Sequence, residues 1–239
     1  MQFAPRMNWR AALLAGLLAA CGPRANVPPV PTAPLPGQLG PDAPGRLIAG
    51  SLAPVLYLQR DETFQLSRVV AVVHPDSQMI AYHLLWEDDA HGAWIPGTVP
   101  TDQEIVWVGY DSTGAPTELW TYWHGNVLHA PWAGRQPAVD IQWGKHGTLP
   151  RGAAASLPHA QSLGIYYLFT WMLPDYWLSR ANRDGPLCFC HGPSRYQEFT
   201  TPLLLAPRLD AVIRTSTPGP ALAAIFGENY SRKRAWPWG

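Results

Sequence analysis

Asp102, Glu104 and His146 are the ionisable residues whose types and spacing point most directly to chemistry. Asp102-Gln103-Glu104 leads into the apolar run Ile105-Val106-Trp107-Val108. In an extended segment Asp102 and Glu104 then share one face and Gln103 takes the other. The same alternation in Ala138 to Trp143 sets Val139, Ile141 and Trp143 against Asp140 and Gln142, after which Gly144 permits a bend and His146 follows. If these two strands are neighbours, Asp102, Glu104 and His146 converge at one sheet end. The acidic loop Glu87-Asp88-Asp89-Ala90-His91 then forms a further side, with Asp89 and His91 as candidates. Two carboxylates, imidazole and further oxygen ligands suit one hard divalent cation, Mg²⁺, Ca²⁺ or Mn²⁺. The bland reading of the same residues is a set of solvated loop carboxylates and a histidine bonded to backbone.

Other chemistries have less to build on. A glycosidase would pair Glu104 with Asp102, Asp140 or Glu118 as acid and base, a pairing decided by a separation that sequence does not give. Trp94, Trp107, Trp120, Trp123, Trp132 and Trp143 offer flat faces on which a sugar ring can stack, or else are core. Trp123, Trp143 and Asp140 are the candidates for contact with such a ligand. Cys188-Phe189-Cys190-His191 reads as a local disulfide or two structural thiols, with metal ligation as the alternative. The chain carries no Gly-x-Ser-x-Gly elbow, no His-Glu-x-x-His and no phosphate loop.

The elements that must position these residues read mostly as strands. Pro54–Gln59, Ser67–His74, Met79–Trp86, Glu104–Tyr110, Thr117–His124 and Ala138–Trp143 are short, rich in Val, Leu and aromatics, and bounded by turn residues. The second and third make a hairpin across Pro75-Asp76-Ser77-Gln78, and the fourth and fifth another across residues 111–116. Gly164–Leu178 is apolar but broken at Pro174, and Ala206–Thr215 and Pro220–Phe226 are candidate short helices. With 47% hydrophobic residues, 26 prolines and 12 tryptophans, the chain suits a mainly β fold, an antiparallel β-sandwich with a few short helices towards the C-terminus. Charge is sparse and balanced, 17 basic against 17 acidic residues, which argues against a nucleic-acid partner.

The amino terminus is a targeting segment. Arg6 and Arg10 precede the apolar run Ala11 to Ala20, a signal-peptide core too short to span a bilayer as a helix. It ends Leu18-Ala19-Ala20-Cys21, which resembles a bacterial lipobox. The resemblance implies removal of residues 1–20, acylation of Cys21 and a membrane anchor. Residues 21–45 are Pro-rich and read as a tether. The remaining span, 46–239, is one sandwich domain.

A second resemblance rests on two blocks. Asp102-x-Glu104-x-Val106-x-Val108 is followed by Arg135-x-Pro137-x-Val139-x-Ile141-x-x-Gly144-x-His146-x-x-x-Pro150. Together they look like the fungal vacuolar protein sorting protein sixty-two family and are distantly similar to the necrosis- and ethylene-inducing-like proteins. That similarity implies a β-sandwich and, in the necrosis-inducing branch, a divalent-metal site on the acidic motif and action on plant membranes through sphingolipid headgroups. Gln103 departs from the tryptophan of those families, and Thr101 and Val99 from histidines of the necrosis branch.

These readings describe a lipid-anchored extracytoplasmic envelope protein that binds a carbohydrate or a lipid headgroup. A metal-assisted hydrolase using the same carboxylates, and a structural envelope protein without a small-molecule site, are the alternatives.

Overall fold

The computed structural model describes residues 28–59, 62, 64–87, 102–123, 126–133, 136–142, 146–153 and 199–239. Within them the chain is mainly β, arranged as two sheets. A helix α1 (Pro44–Ser51) precedes β1 (Val55–Gln59), β2 (Leu66–Val73), β3 (Met79–Trp86), β4 (Gln103–Tyr110), β5 (Pro116–Trp123) and β6 (Asn126–Pro131). Then come β7 (Ala138–Ile141), β8 (Thr148–Pro150), β9 (Phe199–Leu204), β10 (Ala211–Arg214) and helix α2 (Gly219–Phe226). No helix among the described residues is long and apolar enough to cross a membrane.

One sheet has four strands in the order β8-β7-β1-β9, the other six in the order β10-β2-β3-β4-β5-β6. Most pairings are antiparallel, and β1 with β7 and β10 with β2 are parallel. Leu56, Val139 and Ile141 of the smaller sheet share one buried cluster with Val69, Ala71, Ile80, Tyr82, Leu84, Val106 and Val108 of the larger. The two faces therefore meet as a sandwich. The outer face of the larger sheet is also covered. Val70, Val72, Leu85, Ile105 and Trp107 pack with Leu222, Ile225 and Phe226 of α2 and with Trp236 of the C-terminal tail. Burial on both sides explains why β3, Met-Ile-Ala-Tyr-His-Leu-Leu-Trp, is buried at every position instead of alternating.

Both expected hairpins form, β2 with β3 and β4 with β5. The helix expected over Ala206–Thr215 does not. A 3-10 turn at Ala206–Arg208 gives way to β10, which the parallel edge of β2 draws into the sheet. Strands β6, β8 and β9 were not anticipated. Pro202 of β9 lies at a sheet edge, where a missing N–H is tolerated. The stretch read as a tether is described from Pro28 and from there lies against the domain. Arg68 Nη1 donates to Pro28 O at 2.6 Å, and Gly37 and Leu39 bond with Arg214 and Val212 along β10. Gly164–Leu178 and the Cys188-Cys190-His191 segment lie outside the described residues.

Candidate functional site

The site begins with the backbone of β4. Glu104 stands opposite Leu84 and Gln103 opposite Leu85. Leu84 belongs to the cluster between the sheets and Leu85 to the cluster beneath α2, so the alternation sends Glu104 towards the first and Gln103 towards the second. The Trp86 N–H donates to Asp102 O at 2.9 Å, carrying the pairing one residue past the strand. Asp102 thus sits at the same end of the sandwich as Glu104, and both are buried.

The other sheet supplies His146. Between β7 and β8, Gln142 N–H donates to Gly147 O at 3.0 Å and His146 N–H to Gln142 O at 2.8 Å, closing a tight loop. His146 itself takes a left-handed φ of 50°, a costly conformation for a side chain with a Cβ. Thr148 fastens the loop across the gap. Its hydroxyl accepts from Tyr122 N–H at 3.0 Å and donates to Ile105 O at 3.0 Å.

His146 is completely buried and both ring nitrogens face acids. Nδ1 bonds Asp102 Oδ2, and Nε2 lies 3.4 Å from Glu62 Oε1, an ion-pair contact. Glu62 Oε1 also accepts from Phe64 N–H at 3.0 Å. The imidazole lies on Trp86 and meets the edge of Phe64. Burial alone lowers its pKa, but the charges of Glu62 and Asp102 and their hydrogen bonds more than offset this and raise it to about 10. His146 is therefore an imidazolium at neutral pH, with no lone pair to offer as base or ligand.

Glu104 is held from a third direction. Lys233 Nζ donates to its Oε1 at 2.7 Å, and the ammonium also stands 5.0 Å from the centre of the Tyr122 ring. Glu104 Oε2 is buried without a hydrogen-bond partner among the described residues. Burial raises the Glu104 pKa to about 7, with Lys233 opposing the rise and Asp102 adding to it. Asp102, Glu104 and His146 do come together, with Glu62, Trp86 and Lys233 completing the group.

This donor set does not fit a metal ion as it stands. Asp102 and Glu62 face the His146 imidazolium, and Glu104 faces the Lys233 ammonium. Among the described residues no group of three His, Cys, Asp or Glu side chains is arranged to hold a metal. Asp89 and His91, expected to line the same corner, and Trp143, a candidate ligand contact, lie outside the described residues, as does Cys21.

Trp123 and Asp140, the described candidates for ligand contact, are both buried. Trp123 is 2% exposed and packs against Gly147, a wall of the core and not an open platform. Asp140 points away from the sandwich interior. It pairs with Arg151 Nη1, accepts from Gly152 N–H at 2.8 Å, and sits where Arg151 covers the Tyr57 ring. Asp140 is a structural ion pair. Trp107 and Trp132 are buried, and half-buried Trp120 stacks on His129 with 3.8 Å between ring centres.

Sequence reasoning missed Glu62 and Lys233. Glu62 follows Arg60-Asp61 and Lys233 lies in the basic run Ser-Arg-Lys-Arg, and neither stands in a motif that singles it out. The one available signal was physical. A carboxylate buried in a strand needs a cation, and the chain has few lysines to supply it.

No family model and no curated protein matches the chain. Among solved structures it is similar to NLPPya, a necrosis- and ethylene-inducing-like protein. The structure of NLPPya in complex with glucosamine aligns at a TM-score of 0.36 and 12% identity, covering 50% of this chain and 72% of that one. The complex with mannosamine aligns at 0.35 and 14%, with the same coverage.

Proposed function

We propose that this chain is a lipid-anchored extracytoplasmic protein of the cell envelope that binds a carbohydrate or lipid headgroup, gripping a cationic group of the ligand at Glu104. One observation carries the reading. Glu104 is buried, one of its oxygens holds an ammonium at 2.7 Å, and the other has no hydrogen-bond partner among the described residues. A desolvated carboxylate with an open lone pair favours a charged N–H donor over a neutral hydroxyl. The lipobox-like Leu18-Ala19-Ala20-Cys21 supports the anchor and hence the side of the membrane on which the domain works. The enclosure of the His146 ring by Asp102, Glu62 and Trp86 favours binding over a hydrolase that would use it as base.

Calorimetric titration of the full-length chain in detergent with glucosamine, set beside N-acetylglucosamine and glucose, tests the ligand. Binding that requires the free amine and disappears in Glu104→Gln supports the reading. Equal binding of all three sugars, or none of any, overturns it. Incorporation of labelled palmitate that is lost in Cys21→Ala tests the anchor.

A further inference from the structure

Lys233 reaches Glu104 from a segment built to present it. On one side of it, Gln103 Oε1 accepts from both the N–H and the hydroxyl of Ser231, at 3.0 and 3.1 Å. On the other, Trp107 Nε1 donates to Ala235 O at 2.8 Å, and Trp236 Nε1 to Ser216 O at 2.8 Å. Arg232, directly before Lys233, takes a left-handed φ of 53°, which a non-glycine residue adopts only where its surroundings impose it. Ser231 and Ala235 are thus clamped by Gln103 and Trp107, two residues of the strand that also carries Glu104. The tail is registered on β4, and the turn at Arg232 lies between the clamps.

The charges assort in the same sense. Glu62 and Asp102 share one internal cation, His146, and Glu104 has another, Lys233. The Lys233 side chain keeps 19% of its surface exposed while Glu104 keeps 8%, so the cation, not the acid, is the partner with a route to water.

We infer that Lys233 is the resident cation of this acidic site, and that an external cation bound at Glu104 competes with its ammonium for the carboxylate. This rests on the reading of the Glu104 end as a cation-receptive site. The tail is then a tethered competitor. A group held on a short connection acts at an effective concentration on the order of millimolar or more, so it lowers the apparent affinity of any free cation by the corresponding factor. Gln103 takes on a definite role too, as the residue that fixes Ser231 and so aims Lys233.

The test uses the full-length chain in detergent, as wild type, Lys233→Gln and Lys233→Gln/Glu104→Gln. Each is titrated separately with ethylammonium and with Ca²⁺ by calorimetry. Glutamine keeps most of the side-chain length and removes the charge. The expected result is that Lys233→Gln binds at least one of the two cations roughly ten-fold more tightly than wild type. The gain disappears in the double variant. Which probe gains tells a vacated ammonium site from a vacated metal site. Equal affinities in wild type and Lys233→Gln overturn the inference, as does a gain that survives loss of Glu104. Where Lys233→Gln alone fails to fold, the double variant restores folding if the two charges are partners, and failure to restore it overturns the pairing. Absence of glucosamine binding in wild type removes the functional reading while leaving the Lys233→Gln gain to stand or fall separately.

Discussion

The His146 imidazole lies face to face on the Trp86 indole, with 4.1 Å between ring centres and 8° between planes. A protonated imidazole over an indole face is stabilised by the ring quadrupole, so Trp86 is part of what keeps His146 charged. Trp86→Leu removes both that face and a fully buried volume, and should cost about 3 kcal/mol in urea denaturation. Trp86→Phe keeps a π face and should cost less. The His146 pKa, followed by NMR, should fall in Trp86→Leu. An unchanged value would mean the stacking is packing alone.

Lys233 and Glu104 should couple in a double-mutant cycle. Removing one member of a buried pair typically costs about 3–5 kcal/mol, and the partial exposure of Lys233 places this pair at or below the lower end. Lys233→Met and Glu104→Gln should each destabilise, and the double variant should lose clearly less than the sum. Additive losses would show that the 2.7 Å contact contributes nothing measurable.

Two buried histidines should shape the pH dependence of stability in opposite directions. The folded-state pKa of His146 is raised to about 10, so its contribution is complete below about 6.5 and is lost as pH rises through 10. Burial lowers His83 to about 3, with Lys233 adding to the effect. The unfolded chain then takes a proton there that the folded chain refuses, and stability falls as pH drops from about 6.5 towards 3. Glu104, raised to about 7, adds a loss as pH rises from its ordinary carboxylate range through 7. Differences between wild type and variant isolate each limb. His83→Asn should flatten the acid side and His146→Gln the basic side, read from denaturation midpoints across pH.

Gly147 is a packing constraint. A Cβ there would stand 2.9 and 3.0 Å from Trp123 Cε3 and Cζ3 and 3.2 Å from Gln142 Oε1. Gly147→Ala should destabilise by about 1–3 kcal/mol and shift the Trp123 environment in near-ultraviolet circular dichroism. A neutral substitution would show that the loop can retreat without cost.

Asp140→Asn separates structure from binding. It strips the charge from the Arg151 pair while leaving Glu104 untouched, so thermal stability should drop with sugar or cation affinity unchanged. Altered affinity would return Asp140 to the ligand site.

Much of the frame was legible because strand alternation is local. It placed Asp102 and Glu104 on one face, Val139 and Ile141 on the core side, and both hairpins across their turns. Its failures are non-local. Ala211–Arg214 carries no periodicity of its own and becomes a strand because β2 has a free edge beside it. Strand β8 has three residues, too few for any pattern, and forms against β7. Glu62 and Lys233 lie about 170 residues apart in sequence, and only the fold brings the first to His146 and the second to Glu104. The sequence pattern that suggested metal ligands was sound as chemistry, but the positive charge can equally come from within the chain, and spacing does not reveal which.

The docking of Pro28 on Arg68 bears on how the molecule would stand on a bilayer. Arg68 pairs across the sheet with Leu85, which itself pairs with Gln103, so Pro28 is moored at the Glu104 end and not at the opposite, hairpin end. Seven peptide steps separate Cys21 from Pro28. Even fully stretched they reach only about 25 Å. With Cys21 acylated as proposed, that reach sets the distance of Pro28 from the lipid surface, and the acidic end hovers near it. Its catch would then come from the membrane it stands on before it came from the surrounding fluid.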